Sequence, residues 1–161
     1  MAKKNYNVKF IYRSLERVLF CSLATFSEEG NNINGRFMIF ACDKNLEKFY
    51  FLSHRDAAKI KELKKNPKAT ICILSTADML DDYSETIVKG IIKMEDNFSD
   101  KEVQKGLKLM AKRTRMLEML IRGSSLRDYR MLTLTTEEIT FRIYKDILDK
   151  MPKTIIRLKN W

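Results

Sequence analysis

Arg36, Ser53, Arg55 and Lys59 are the side chains in this sequence best suited to hold a phosphate monoester. Arginine presents a planar fork to phosphate oxygens, lysine a compact charge, and serine a neutral hydroxyl donor. All four lie within residues 18–74, read as strand, glycine turn, strand, short strand, basic helix and strand. Ser53 ends one of those strands, Arg55 follows it, and Lys59 sits one turn into a helix that starts at Asp56. A helix N-terminus adds free amide N–H groups and a partial positive charge. Arg36 shares one face of its strand with Met38, while Phe37 and Ile39 take the other. A charge in an otherwise apolar strand projects into solvent or into a polar cleft. Asp56, as the N-cap, competes with an anion for the same amides. Spacing alone therefore leaves two readings open: an anion site, or separate solvated charges.

The elements that must position these residues follow from periodicity. Residues 7–17 carry Val8, Ile11, Tyr12 and Leu15 on one helical face. Residues 18–27 and 34–42 are strands joined through Gly30, Asn31 and Asn32, which favour a hairpin. Residues 48–53 complete a three-stranded meander after the turn at Asp43-Lys44-Asn45. The helix over 57–65 ends at Asn66-Pro67, because the residue before a proline avoids the α region. The apolar run 69–74 suits a central strand buried on both faces. Residues 85–96 form a longer strand with a bulge or bend at Gly90. Ser99-Asp100-Lys101-Glu102 fits a capping box that opens one helix to Arg122. Residues 129–136 and 139–144 read as strands split at Thr136-Glu137-Glu138, and 153–158 as a last short strand. This pattern predicts six to eight mostly antiparallel strands with three helices, closing into a small barrel that removes exposed edges.

Composition excludes several classes of function. A length of 161 residues predicts one domain over 1–161, and the 45% hydrophobic fraction supports a core. No window approaches the ~20 apolar residues of a membrane helix. The N-terminal Met1-Ala2-Lys3-Lys4-Asn5 lacks the apolar stretch of a signal peptide, so a cytoplasmic protein with no membrane partner is expected. Cys21, Cys42 and Cys72 are too far apart for a metal pair and are expected as buried free thiols. His54 is the only histidine, which argues against a multi-histidine metal centre or a histidine-based triad. The five glycines form no phosphate-loop or dinucleotide pattern.

Val103, Leu107, Met110, Thr114, Leu117 and Ile121 define the buried side of the long helix. Lys101, Lys105, Lys108, Lys112, Arg115 and Arg122 line its other side and supply much of the +10 net charge. That stripe is either a solvated face or an RNA-facing surface. No sequence signature of base recognition accompanies it, which leaves nucleic acid the weaker partner. Trp161, the last residue, is frayed or docks on a groove or partner subunit.

Leu23-Ala24-Thr25, the glycine turn, Arg36-Phe37-Met38-Ile39, the strand ending Phe51-Leu52-Ser53, Lys59 and Leu63-Lys64-Lys65-Asn66-Pro67 form an ordered series. Together with Val88-Lys89-Gly90, it resembles the pyridoxamine 5′-phosphate oxidase-like flavin-binding split-barrel superfamily. The resemblance implies an antiparallel split β-barrel and a homodimer that binds FMN at its interface. It also implies that Arg36 and Lys59 contact the flavin phosphate, that Ser53 lies near the phosphate or ribityl chain, and that Phe37, Met38, Ile39 and Phe40 line the ring. The chain departs from the true oxidases in three places. It has Ala58-Lys59 where they carry Arg-Lys, Ala41 where they carry lysine, and no arginine–histidine element after Ile139. It is more similar to the general-stress and nitroimidazole-reductase-like branches. The expectation is thus an FMN-dependent oxidoreductase with a small-molecule electron donor or acceptor, not a pyridoxamine 5′-phosphate oxidase. The alternative is a non-catalytic flavin or haem binder, or a basic nucleic-acid-associated barrel.

Overall fold

The computed structural model describes residues 6–75 and 83–158; Trp161 lies outside them. Helix α1 (Val8–Leu15) is capped by Asn7, whose side chain accepts from the Phe10 amide, and it buries Ile11 and Leu15. Strands β1 (Phe20–Phe26) and β2 (Ile33–Ile39) form the expected hairpin, pairing Cys21 with Met38, Leu23 with Arg36 and Thr25 with Asn34. Gly30 takes φ +74° in the turn, a region open to glycine.

The return strand is not continuous to Cys42. It breaks at Phe40, whose amide donates to Leu19 O, and resumes as β3 (Ala41–Cys42) on a new partner, β4 (Lys48–His54). This break closes the barrel. In the eight-stranded sheet the order is β2-β1-β5-β6-β7-β4-β3, with β8 pairing β7, so the two ends of the path are halves of one stretch of chain. Every pairing is antiparallel. The fold is a split barrel carrying helices.

Helix α2 (Ala58–Lys65) buries Ile60, Glu62 and Leu63. Its N-cap is Ala57, which makes no side-chain cap; Asp56 stands one residue too early to accept from the first turn. Strand β5 (Lys68–Ser75) alternates between buried and exposed positions instead of burying both faces, and Cys72 is exposed while Cys21 and Cys42 are buried. The apolar run reflects an outward face that this single chain leaves open. Strand β6 (Ser84–Glu95) bulges between Lys89 and Gly90 as expected. A Cβ on Gly90 would stand 2.1 Å from Thr135 O, so only glycine fits there.

The basic helix is two helices. Asp100, not Ser99, caps α3 (Lys101–Ala111) by accepting from the Glu102 and Val103 amides. The chain then turns, and Thr114 caps α4 (Arg115–Arg122) instead of joining the buried stripe. After a 3-10 turn (Ser124–Asp128), β7 (Tyr129–Ile143) runs unbroken through Thr136-Glu137-Glu138. Its first half pairs with β4 and its second half with β8 (Thr154–Arg157), while β6 spans both. A short α5 (Tyr144–Leu148) links β7 to β8.

Leu23, Phe49, Phe51, Ile71, Ile73, Val88, Leu132 and Phe141 fill the barrel. Val103, Leu107, Met110 and Leu117 form a second core against Ala41, Tyr50 and Met131 on its outer side.

Candidate functional site

Lys59 projects from the first turn of α2, and its Nζ donates to Ser53 Oγ at 3.2 Å. Burial lowers the Lys59 pKa from the ordinary lysine value, and the nearby Arg36 charge lowers it further, with Glu62 opposing. Ser53 is buried at the end of β4. The N-cap Ala57 has no acceptor side chain, so no side chain caps the Ala58 and Lys59 amides, while the Ile60 amide donates to Ala57 O at 2.8 Å.

Arg36 reaches the same place from β2. Its Nη2 lies 2.8 Å from Glu62 Oε2 and 3.0 Å from Oε1. Glu62 is only 4% exposed and also accepts from Thr25 Oγ1 at 2.5 Å and Asn34 Nδ2 at 2.8 Å. Burial on its own raises a carboxyl pKa, but the hydrogen bonds from Thr25, Asn34 and Arg36 and the Arg36 charge prevail, so Glu62 sits below the ordinary glutamate value. The ion pair engages Nη2 alone, which leaves Nη1 and Nε of Arg36 without a protein partner among the described residues. Two cations, one carboxylate and two hydroxyls, those of Ser53 and Thr25, thus converge where α2 meets the β1–β2 hairpin.

The fold brings Arg36, Ser53 and Lys59 together and takes Arg55 away. Arg55 Nη1 lies 3.3 Å from Asp96 Oδ1 and its Nε donates to Arg127 O at 2.7 Å. Arg130 holds the same carboxylate through two hydrogen bonds, at 2.8 and 2.7 Å. Met38 and Phe40 point into the barrel core, Ile39 packs against the second core, and Phe37 is 81% exposed. Glu62 escaped sequence reasoning, since a glutamate in a lysine-rich helix reads as solvated. Its position three residues after Lys59 was the available signal, because that spacing puts both on one helical face.

The donor set fits a phosphate monoester. Arg36 retains donors, Lys59 is half-buried where water screens its charge weakly, and no side chain caps the Ala58 and Lys59 amides at the start of α2. Burial pushes the Cys21 and Cys42 thiols up to about 12, which makes them inert packing groups. Among the described residues no group of three or more His, Cys, Asp or Glu side chains is placed to hold a metal ion. None of their helices is long and apolar enough to cross a membrane.

Solved structures share this architecture at low sequence identity. A haem-binding protein from Mycobacterium smegmatis superposes with a TM-score of 0.74 at 13% identity, over 97% of this chain. This chain spans only 60% of that neighbour's length. The haem storage protein HutZ of Vibrio cholerae gives 0.65 at 16% identity, covering 86% of this chain and 95% of the other. A pyridoxamine 5′-phosphate oxidase-related, FMN-binding protein from Nostoc punctiforme gives 0.63 at 12% identity, covering 95% and 93%. No curated protein matches the sequence. The family model described as pyridoxamine 5′-phosphate oxidase matches residues 11–143, from α1 to the end of β7. With a match over most of its length, this chain belongs to the pyridoxamine 5′-phosphate oxidase family.

Proposed function

We propose that this chain binds FMN as a homodimer and serves as an FMN-dependent oxidoreductase. The observation that carries the reading is the half-buried Lys59, bonded to Ser53 and with its pKa lowered by burial first and by the nearby Arg36 charge second, at a helix start without a side-chain cap. In this reading Lys59 and the free donors of Arg36 hold the phosphate, Glu62 fixes the Arg36 guanidinium, and the α2 amides take the remaining oxygens. When bound, the flavin supplies the redox chemistry, and the protein positions it. The ring lies along β2 beside the exposed Phe37, with a wall from the second copy. Ala58 and Ala41, standing where the true oxidases carry basic residues, argue against pyridoxamine 5′-phosphate as substrate.

One observation favours a second reading, a haem-type ligand binder. The single histidine, His54, is exposed at the end of β4 with its ring edge-on to Tyr129, and two fold neighbours are haem proteins. Absorbance separates the two: FMN loading gives flavin bands, whereas haem loading through His54 gives a Soret band lost in His54→Ala. The test of the main reading is FMN titration of the Arg36→Ala/Lys59→Ala double variant. A loss of several kcal/mol is expected, at about 1.5–3 kcal/mol per charge-assisted hydrogen bond. Unchanged affinity refutes the assignment.

A further inference from the structure

A groove of about 980 Å³ opens between α3 and α4, on the helical layer and away from the Arg36–Lys59 cluster. Leu107, Ala111, Ile121 and Leu126 supply its apolar lining, and no aromatic side chain among the described residues lines it. Lys108, Lys112, Arg115 and Arg122 stand exposed along its rim. Among the described residues Glu118 is the one carboxylate in the lining, and it pairs with Arg122 at 2.8 Å. Lys108, Lys112 and Arg115 have no acidic partner among the described residues, whereas Lys105 on the neighbouring face is paired with Asp43 at 3.5 Å. The basic stripe is therefore divided: Lys105 and Arg122 are paired, and Lys108, Lys112 and Arg115 at the α3–α4 elbow are left without a carboxylate partner among the described residues.

The elbow is fixed in place. Arg113 donates to Glu16 O at 2.9 Å and to Val18 O, and its guanidinium lies 5.4 Å from the Phe40 ring centroid. Thr114 caps α4, and Leu117 anchors it in the second core. A preformed concave site with an apolar floor and a few convergent charges is how small-molecule sites are built, at roughly 300–1,000 Å³.

We propose that this groove binds a single-chain anionic amphiphile, an acyl chain ending in a carboxylate. The chain lies on Leu107, Ile121 and Leu126, and Lys112 and Arg115 hold the head group. The aliphatic lining favours a flexible hydrocarbon over a planar ring. The same lack of aromatic platforms disfavours single-stranded nucleic acid, whose bases need stacking partners. The unmatched cations set the sign of the head group.

The test is calorimetric titration of the 161-residue chain with dodecanoate below its aggregation threshold, beside octanoate, dodecanol and a single-stranded RNA oligonucleotide. Dodecanoate is expected to bind at least about tenfold more tightly than octanoate, because four methylenes leave the floor. Dodecanol is expected to bind more weakly than dodecanoate. In Lys112→Glu/Arg115→Glu, exposed changes that leave both cores intact, affinity for dodecanoate is expected to fall at least about tenfold. Equal binding of the two acids, no binding of dodecanoate, or an unchanged affinity in the variant overturns the proposal. So does RNA binding that the same variant abolishes, which assigns the face to nucleic acid. A change of oligomeric state in the variant by sedimentation also overturns it, since a second copy would then fill the groove.

Discussion

Lys59 and Glu62 carry the site's electrostatics, and each makes a pH-dependent prediction. Lys59 starts with a lowered pKa, from burial first and then from Arg36. A phosphate bound beside it favours the charged form and raises that pKa again. Affinity for FMN is therefore expected to be full below the lowered pKa of the free protein and to decline as pH rises through it. Lys59→Arg, which stays charged at any accessible pH, is expected to flatten the decline. FMN titrations across the alkaline range check this, and an equally steep decline in Lys59→Arg contradicts it. For Glu62 the folded pKa is lowered, so its stabilisation is fully present above the unfolded value of about 4.3 and is lost as pH falls through the folded value. Urea midpoints measured below about pH 5 are expected to fall more steeply for the wild type than for Glu62→Gln. Parallel curves would show that Glu62 contributes nothing to folding. Arg36→Ala strands Glu62, a buried carboxylate, and is expected to cost roughly 3 kcal/mol of stability. Lys59→Ala is for that reason the cleaner binding variant.

At the scale of elements, the second core rests on one close approach. A Cβ on Gly106 would stand 2.6 Å from Tyr50 Cδ1, and Tyr50 is fully buried with its hydroxyl donated to Glu102. Gly106→Ala forces α3 off β4 and is expected to destabilise by about 1–3 kcal/mol in denaturant unfolding, despite the better helix propensity of alanine. A gain in stability would show that α3 tolerates the shift. The elements were legible where one physical signal dominated. The Gly30 hairpin, the Gly90 bulge and the stop at Asn66-Pro67 each follow from a local backbone requirement. The single long helix was misread because Leu117 and Ile121 on α4 continue the 3–4 spacing of α3, and sequence periodicity does not register a turn that preserves phase. Strand β7 was split because Thr136-Glu137-Glu138 carries turn-forming polarity, yet pairing with β6 holds it extended. A capping residue is a matter of single positions, which is why Asp56 and Ser99 were each placed one residue early.

On the scale of the whole molecule, the outer side of β2-β1-β5 carries an open, largely apolar surface. Phe20 is 52%, Ile33 68%, Phe37 81% and Leu74 55% exposed, and Cys72 lies among them. That surface explains why 69–74 reads as buried on both faces: the residues suit a neighbour that a single chain does not contain. A two-fold dimer through this face is expected to bury more than ~2,000 Å². Phe37→Asp is expected to yield a monomer by sedimentation and to lose FMN with the dimer. A Phe37→Asp dimer that keeps stoichiometric FMN would move the interface elsewhere. The barrel itself was legible from the order of strands and the family-like series of residues. The path that closes it was not, because the switch of partners at Phe40 is a long-range event without a local sequence mark. For the site, Arg36, Ser53 and Lys59 were readable from their types and elements, whereas the capture of Arg55 by Asp96 depends on β7 lying between β4 and β6 and bringing their ends together. Whether this cluster grips a phosphate is measured by comparing FMN with riboflavin, which lacks that group. A phosphate grip requires that the wild type bind FMN at least about tenfold more tightly than riboflavin, and that Lys59→Ala remove most of the difference while leaving riboflavin affinity unchanged. Equal affinity of the wild-type protein for the two ligands would contradict it.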